Sequence, residues 1–163
     1  LSPRASGGAR LAAPISDDEQ APSLGALDGL VGYHLRRAFG VVGADFAQAV
    51  AGMGMRQVLF GILSIIDANP GINQGSVGRA LGIQRANMVS LVNELVDRGL
   101  VSRATAAGDR RAFALTLTSQ GERTMRDCLE LIRTHESSLL RNLSDADRVT
   151  LIDLLGRIGP RPR

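Results

Sequence analysis

The segment 72–118 restricts the fold of this 163-residue chain more than any other, because it combines two short helical patterns with two extended ones. Asn73 is a favourable N-cap for a helix that would end at Gly82. A second helical pattern runs over 84–98 and stops at Gly99, a residue type that commonly follows a helix C-terminus. The segment therefore predicts two short helices around a tight turn.

Two stretches with β character follow the second helix. The first is 100–105, and the second is 111–118, in which apolar Phe113, Leu115 and Leu117 alternate with smaller or polar residues. The five residues 106–110 between them form the predicted tip of a hairpin. Two helices around a turn, followed by a two-stranded hairpin, make the winged helix-turn-helix arrangement.

The second helix has the size and the side chains of a helix that reads double-stranded DNA. An α-helix fits the major groove, and Arg, Asn and Gln pair with base edges there. Met88, Leu91 and Leu95 form the apolar face that would pack inward. The opposite, outward face is polar and consists of Gln84, Arg85, Asn87, Ser90 and Asn93. At the hairpin tip, Arg110 and Arg111 are placed to enter the minor groove, where negative potential is concentrated.

The charge of the chain is concentrated in the same segment. All 19 basic residues are arginine, and they stand against 16 acidic residues, for a net charge of +3. Segment 72–118 alone carries the +3, since the arginines and acids elsewhere cancel. The excess is small, but it lies where a duplex would bind. The few aromatic residues, 3% of the chain, argue against the stacking platforms that bind single strands.

The flanking segments are helical by the spacing of their apolar residues. One long helix is predicted from 24 to about 51 and a denser apolar one over 56–68. The chain is helical again over 119–158, and Ser119 with Glu122 matches a capping box at its start. Residues 1–23 lack helical period and are predicted to be a flexible arm. No apolar run is long enough to cross a membrane.

The chain resembles the multiple-antibiotic-resistance regulator (MarR) family. The resemblance lies in INQGSVGRALGIQRANMVSLVNELVDRGLVSR at 72–103 and GDRRAFALTLTSQG at 108–121. It implies a mainly α fold with a small β-wing, in which a winged helix-turn-helix domain is combined with N- and C-terminal dimerisation helices. Members of the family are homodimers that bind a double-stranded DNA operator, and most repress transcription until a small ligand binds.

The resemblance also implies domain boundaries. The family domain would span 24–159, with dimerisation helices at 24–52 and 119–159 and the DNA-binding module at 55–118. The operator would be pseudo-palindromic, with half-sites about one helical turn apart.

The resemblance assigns DNA contacts residue by residue. Asn73 and Gln74 match the start of the helix that meets phosphate, and Asp109 and Arg111 match the wing motif. The recognition-helix positions are Gln84, Arg85, Ala86, Asn87 and Ser90. The chain departs from the family in two places. Ser90 and Glu94 stand where many relatives have arginine, and the segment before the second helix reads Met55-Arg56-Gln57.

The expected effector is a small molecule, anionic or aromatic, such as an aromatic acid or its thioester. In the family its pocket lies between the first helix, the second helix and the start of the fifth. His34 falls on the apolar stripe of the first helix and is expected to be buried there, either as a ligand contact or as a core or dimer-interface residue. The candidate ligand residues are Tyr33, His34, Arg37, Arg56 and Phe60.

Other functions have less support from the sequence. A protein-interaction module with a wing but no DNA binding stays open, as does a thiol-based redox sensor that uses Cys128, the single cysteine. Two separate histidines do not match a metal site, and His135 is expected to be solvated. Neither a catalytic set nor a phosphate-binding glycine loop is present, so we expect no enzyme activity and no cofactor. The expected location is cytoplasmic.

Overall fold

The computed structural model describes residues 22–106 and 109–158, and the side chains of all of these except 105–113. The described residues form a mainly α-helical chain with a small antiparallel sheet. The predicted arm, 1–23, lies outside the described residues except for its last two. The elements are α1 (Val31–Ala49), α2 (Gln57–Ala68), β1 (Ile72–Asn73), α3 (Gln74–Leu81), α4 (Arg85–Asp97), β2 (Val101–Ala106), β3 (Asp109–Leu117), α5 (Ser119–Leu139) and α6 (Asp145–Gly156).

The core is formed by α2 together with the helices and strands that surround it. Helix α2 is apolar around most of its circumference and buries four large side chains, whose removal from water drives the packing. The residues buried against them come from α3, α4, β3 and α5, so one core joins the helix-turn-helix to the long fifth helix. The fully buried side chains include Leu59, Ile62, Leu63, Ile66, Val77, Met88, Val92, Leu95, Leu115 and Cys128.

The sheet has three strands in the order β1-β3-β2, all antiparallel. The hairpin of β2 and β3 was predicted from the sequence, and its register places Val101 opposite Leu117 and Ala106 opposite Asp109. Strand β1 was not predicted. It contains two residues, is defined by its pairing with β3, and seats the start of α3 on the wing.

Two predicted helix starts are wrong in detail. Helix α1 begins at Val31, and the residues predicted to extend it toward 24 form a short 3-10 turn, Gly25–Leu27. Helix α5 is capped by Thr118, whose hydroxyl accepts a hydrogen bond from the Gly121 amide at 3.0 Å. The expected Ser119–Glu122 capping box does not form, since Ser119 already lies inside the helix. The Thr118 hydroxyl also donates to the Gly99 carbonyl at 2.6 Å, which fixes the start of α5 to the end of the recognition helix.

Helices α1 and α5 pack against each other over much of their length. Near the end of α5, His135 Nδ1 lies 3.4 Å from Asp45 Oδ1 of α1, so the expectation of a solvated His135 is wrong. The pairing joins residues 90 positions apart, and nothing local in the sequence signals it. Helix α6 differs from the others, because none of its residues is buried within the described chain.

Candidate functional site

The turn between α3 and α4 holds the two helices in close contact. The Asn73 side chain accepts a hydrogen bond from the Ser76 amide at 2.9 Å and caps α3 as predicted. Gly82 ends α3 with φ +65°, a conformation that strongly favours glycine. A Cβ at Gly78 would lie 2.8 Å from Met88 Cγ, so the contact between α3 and α4 leaves no room for a side chain there. The position of α4 is therefore set by α3 and the core.

Helix α4 buries one face and exposes the face predicted to read DNA. Met88, Val92 and Leu95 point into the core. All five predicted recognition residues are exposed: Gln84, Arg85, Ala86, Asn87 and Ser90. The Ser90 hydroxyl donates to the Asn87 carbonyl at 2.9 Å, a bond it would exchange or share if it met a base or phosphate. Val89 is 42% exposed on the same side of α4. It was not among the predicted DNA contacts, which are polar residues and Ala86.

The start of α3 carries the two residues predicted to meet phosphate. Gln74 is the first residue of α3 and is half-buried, while the amide oxygen of Asn73 is used in capping. Asn73 therefore positions the helix in addition to any phosphate contact. On the same helix, Arg79 donates to the Ser76 hydroxyl at 2.7 Å, which holds its guanidinium near the first turn of α3.

The wing is tied to the recognition helix through its first strand. Arg103 of β2 donates to the Asn93 side chain of α4 at 2.6 Å, so strand and helix are joined by side chains as well as by the chain. The predicted wing residues Asp109, Arg110 and Arg111 belong to β3, but their side chains lie outside the described residues.

Two arginine contacts join α4 to the segment that precedes α2. Arg98, at the C-terminal end of α4, donates to the carbonyls of Met53 and Gly54 at 3.1 Å each. Arg56 forms an ion pair with Glu94 on α4. Neither contact was predicted, because partners 38 to 45 positions apart leave no local pattern in the sequence.

A groove of about 320 Å³ lies between α1 and the C-terminal end of α5. It carries both a histidine and an arginine beside an apolar wall, a combination that suits a ligand with an anionic group and an aromatic or aliphatic part. His34 Nε2 lies 2.7 Å from the carbonyl oxygen of Asp28, which orients the ring. The lining residues are His34, Arg37, Ala38, Val41, Val42, Leu139 and Leu140.

Two of the predicted ligand residues, His34 and Arg37, line the groove, and the other three do not. His34 is exposed in this chain, although it was expected to be buried, and the groove lies at the end of α5 rather than its start. Tyr33 stands beside the groove with its ring 5.8 Å from the Arg37 guanidinium. Phe60 packs against Phe46, with ring centroids 6.1 Å apart, and neither Phe60 nor Arg56 lines the groove.

Cys128 is placed unfavourably for redox sensing. Its side chain is fully buried, and its sulfur lies 3.4 Å from the Met53 sulfur. Burial raises the pKa of the thiol above its ordinary value, and the nearby Asp127 carboxylate raises it further. Because the thiolate is the reactive form, this residue has little of the character of a peroxide sensor.

The described residues offer neither a metal site nor a membrane-spanning helix. Among the residues that the structure describes, no three His, Cys, Asp or Glu side chains come together as a metal site would require. Within the same ranges, no helix is both long enough and apolar enough to cross a bilayer.

Comparison with known proteins identifies the relatives of this chain. A sequence profile of the MarR family matches residues 54–112. A protein of Thauera aromatica assigned as a transcriptional regulatory protein for the hcr operon is 33% identical over 135 residues, which cover 82% of this chain and 81% of that protein. The transcriptional repressor CouR bound to a 23-mer DNA duplex is 36% identical with a TM-score of 0.81, over 85% of this chain and 99% of CouR. CouR bound to p-coumaroyl-CoA is also 36% identical, with a TM-score of 0.73 over 83% and 96% of the two chains.

Proposed function

Since the chain belongs to the MarR family of transcriptional regulators, we propose that it is a homodimeric repressor that a small acyl-thioester or aromatic acid releases from its operator. The observation that carries the proposal is the recognition helix, which seats its apolar face in the core and exposes Arg85, Asn87 and Ser90 together. These side chains have the hydrogen-bonding groups that distinguish bases in the major groove. CouR supports the proposal, since it is a repressor with this fold and is described bound to a DNA duplex.

The proposed complex places α4 in the major groove and the wing over the adjacent minor groove. Arg110 and Arg111 of the wing would insert into the minor groove, with Asp109 orienting them. Gln74 and Asn73 at the start of α3 would meet the phosphate backbone, which fixes the register of α4. One such module reads one half-site, so a pseudo-palindromic operator needs two copies about 34–36 Å apart.

The second copy is proposed to bind through the ends of the chain. Large apolar residues are exposed on α1 and α6, at 73% for Phe39 and 71% for Ile152. Large apolar side chains exposed on two helices are typical of an interaction site, and a symmetric pair of chains would cover both helices. We propose the boundaries that this implies: dimerisation segments at 24–52 and 119–159, and a DNA-binding module at 55–118 within a domain of 24–159.

The groove between α1 and α5 is the proposed effector site. CouR is described bound to p-coumaroyl-CoA, which is both anionic and aromatic. The chemistry of the groove suits such a ligand, because Arg37 would meet negative charge beside His34 while Val41 and Leu139 would pack against the acyl part. Both groove helices also belong to the proposed dimer segments. An effector that binds more tightly to a dimer whose recognition helices are spaced wrongly for the operator would lower operator affinity by the same factor.

A gel-shift assay tests the DNA-binding part of this proposal. A duplex from the region upstream of the protein's own gene is expected to be retarded at low salt in the absence of effector. If no retardation occurred, the chain would have to be a protein-interaction module with a winged fold. We further propose that the chain acts in the cytoplasm, where an operator is accessible, and that it has no catalytic role, as is usual for transcriptional regulators.

Replacing Arg85 by alanine is expected to weaken operator binding about 5- to 150-fold, which corresponds to about 1–3 kcal/mol for a lost bidentate contact to guanine. The variant should also tolerate substitution at one base pair that the wild type requires. Arg126→Ala is the matched control, because it removes the same charge from an exposed position on α5. Fluorescence anisotropy on a set of single-base operator variants measures both effects. Equal losses for the two variants would mean that Arg85 acts only through charge.

Replacing Arg37 by alanine is expected to raise the p-coumaroyl-CoA concentration needed for half-maximal release of DNA by about tenfold, because a charge-assisted contact is lost. DNA affinity without the effector should not change. Arg36→Ala is the control, since Arg36 is the neighbouring arginine on α1 and does not line the groove. Release is followed by anisotropy of a labelled operator duplex. An unchanged effector response in Arg37→Ala would remove the groove from the proposal.

A further inference from the structure

The ion pair between Arg56 and Glu94 joins two regions that the DNA-binding function would otherwise leave unconnected. Arg56 is the N-cap residue of α2, and Glu94 lies in the last third of the recognition helix. The two residues are 38 positions apart, and their side chains are 57% and 37% exposed. An exposed ion pair contributes little to stability, so its main effect is on the charge that this part of α4 presents.

Glu94 shares a helix stripe with two of the proposed DNA contacts. It follows Ser90 by four residues and Asn87 by seven, which places the three side chains on one side of α4. Duplex DNA carries one negative charge about every 1.7 Å along its axis. At physiological salt the screening length is about 8 Å, so an unpaired carboxylate on this stripe would repel phosphates that come within that distance.

Arg56 is held where it can neutralise this carboxylate. Arg98, one turn beyond Glu94 on α4, donates to the carbonyls of Met53 and Gly54 at 3.1 Å each. These contacts fix the short segment that leads into Arg56 against the same helix. The backbone just before Arg56 is therefore bound to α4, and this keeps the Arg56 guanidinium next to Glu94.

We propose that Arg56 is a positioning residue for DNA recognition, which covers the Glu94 carboxylate so that the recognition stripe presents no uncompensated negative charge to the operator. This inference rests on the proposed DNA-binding function. It also gives Arg56 a role different from the effector contact expected from the sequence.

Five proteins test the inference: wild type, Arg56→Gln, Arg56→Lys, Glu94→Gln and the double variant of Arg56→Gln with Glu94→Gln. The measurement is the affinity for the labelled upstream duplex between 50 and 200 mM salt, a range over which phosphate contacts change affinity strongly. We expect Arg56→Gln to bind about tenfold more weakly, Glu94→Gln to bind at least as well as the wild type, and the double variant to lie within about twofold of Glu94→Gln. Arg56→Lys should bind nearly as the wild type does, and the thermal midpoint should be unchanged in all variants.

The outcomes separate this inference from the function on which it rests. If the wild type failed to bind the duplex, the proposed function itself would be wrong. If the wild type bound and Arg56→Gln bound equally well, the inference would be overturned. It would also be overturned if the loss in Arg56→Gln persisted in the Glu94→Gln background with a shallower salt slope, because Arg56 would then contact phosphate directly.

Discussion

Replacing Ile152 by aspartate is expected to dissociate the proposed dimer and to remove tight operator binding with it. Ile152 is 71% exposed on α6, and Val149, one turn earlier, is 69% exposed. Burial of such a side chain contributes about 2 kcal/mol, and a symmetric interface contains two copies. The dimer dissociation constant should therefore rise about a thousandfold, with a further rise from burying the new carboxylates.

The loss of DNA binding follows from the loss of the second half-site contact. Two linked modules bind a duplex at least about a hundredfold more tightly than one module does, even when each module makes the same contacts as it would alone. An Ile152→Asp monomer should keep the fold of its winged helix-turn-helix, because no residue of α6 is buried in the chain. It should therefore bind the operator weakly and without cooperativity.

Thr150→Asp is the matched control for this prediction. It introduces the same charge on the same helix, but on the polar side that also carries Asp153 and Arg157, which form a surface pair at 3.6 Å. Sedimentation velocity at several protein concentrations measures the dimer constant of each variant. A dimer that survives in Ile152→Asp, or one that dissociates equally in Thr150→Asp, would place the dimer interface elsewhere.

Replacing Gly121 by alanine is expected to lower the free energy of unfolding by about 3 kcal/mol, which is large for a single added methyl group. A Cβ at Gly121 would overlap the carbonyl oxygen of Leu100 and lie 2.9 Å from its carbonyl carbon. That carbonyl cannot move aside easily. It accepts a hydrogen bond from the Thr118 amide at 3.1 Å, and Leu100 itself is buried at 2% exposure.

Gly61→Ala separates this clash from a general effect of helical glycines. A Cβ at Gly61 would meet only the Leu81 side chain, at 3.4 Å, which is an ordinary contact. Because alanine favours the helix by about 1 kcal/mol over glycine, this variant should be as stable as the wild type or more so. Thermal unfolding compares the two, with an expected fall of about 10 °C for Gly121→Ala. Equal midpoints for both variants would show that the start of α5 can shift away from Leu100.

Much of the fold could be predicted because it is encoded in local patterns. The apolar spacing of α2 and α4, the Asn73 cap and the stops at Gly82 and Gly99 are each properties of a few adjacent residues. Boundaries were less certain where two signals compete. Thr118 and Ser119 are both good caps, and Thr118 prevails because its hydroxyl also reaches the Gly99 carbonyl. Strand β1 has no local signal, since two residues form a strand only by pairing with β3.

The candidate site was predictable where exposure follows from helix periodicity. Gln84, Arg85 and Asn87 were predicted to be exposed while Met88 is buried, and the structure shows this. Contacts between distant segments were not predictable. Arg56 was named as a candidate ligand residue because it lies at the start of the second helix, and its ion pair with Glu94, 38 residues away, left no signal in the sequence. The position of the groove along α5 was also not predictable, because the sequence alone does not show which end of that helix lies against His34.

The most direct measurement of the central claim is a comparison of two duplexes of equal length, one from the region upstream of the gene and one unrelated, titrated with the protein in the same buffer. We predict saturation at two chains per specific duplex, with a dissociation constant of about 10 nM and binding at least about a thousandfold weaker to the unrelated duplex. Addition of p-coumaroyl-CoA, the ligand described for CouR, should release the specific complex. Equal affinity for both duplexes at every salt concentration would contradict a sequence-specific repressor.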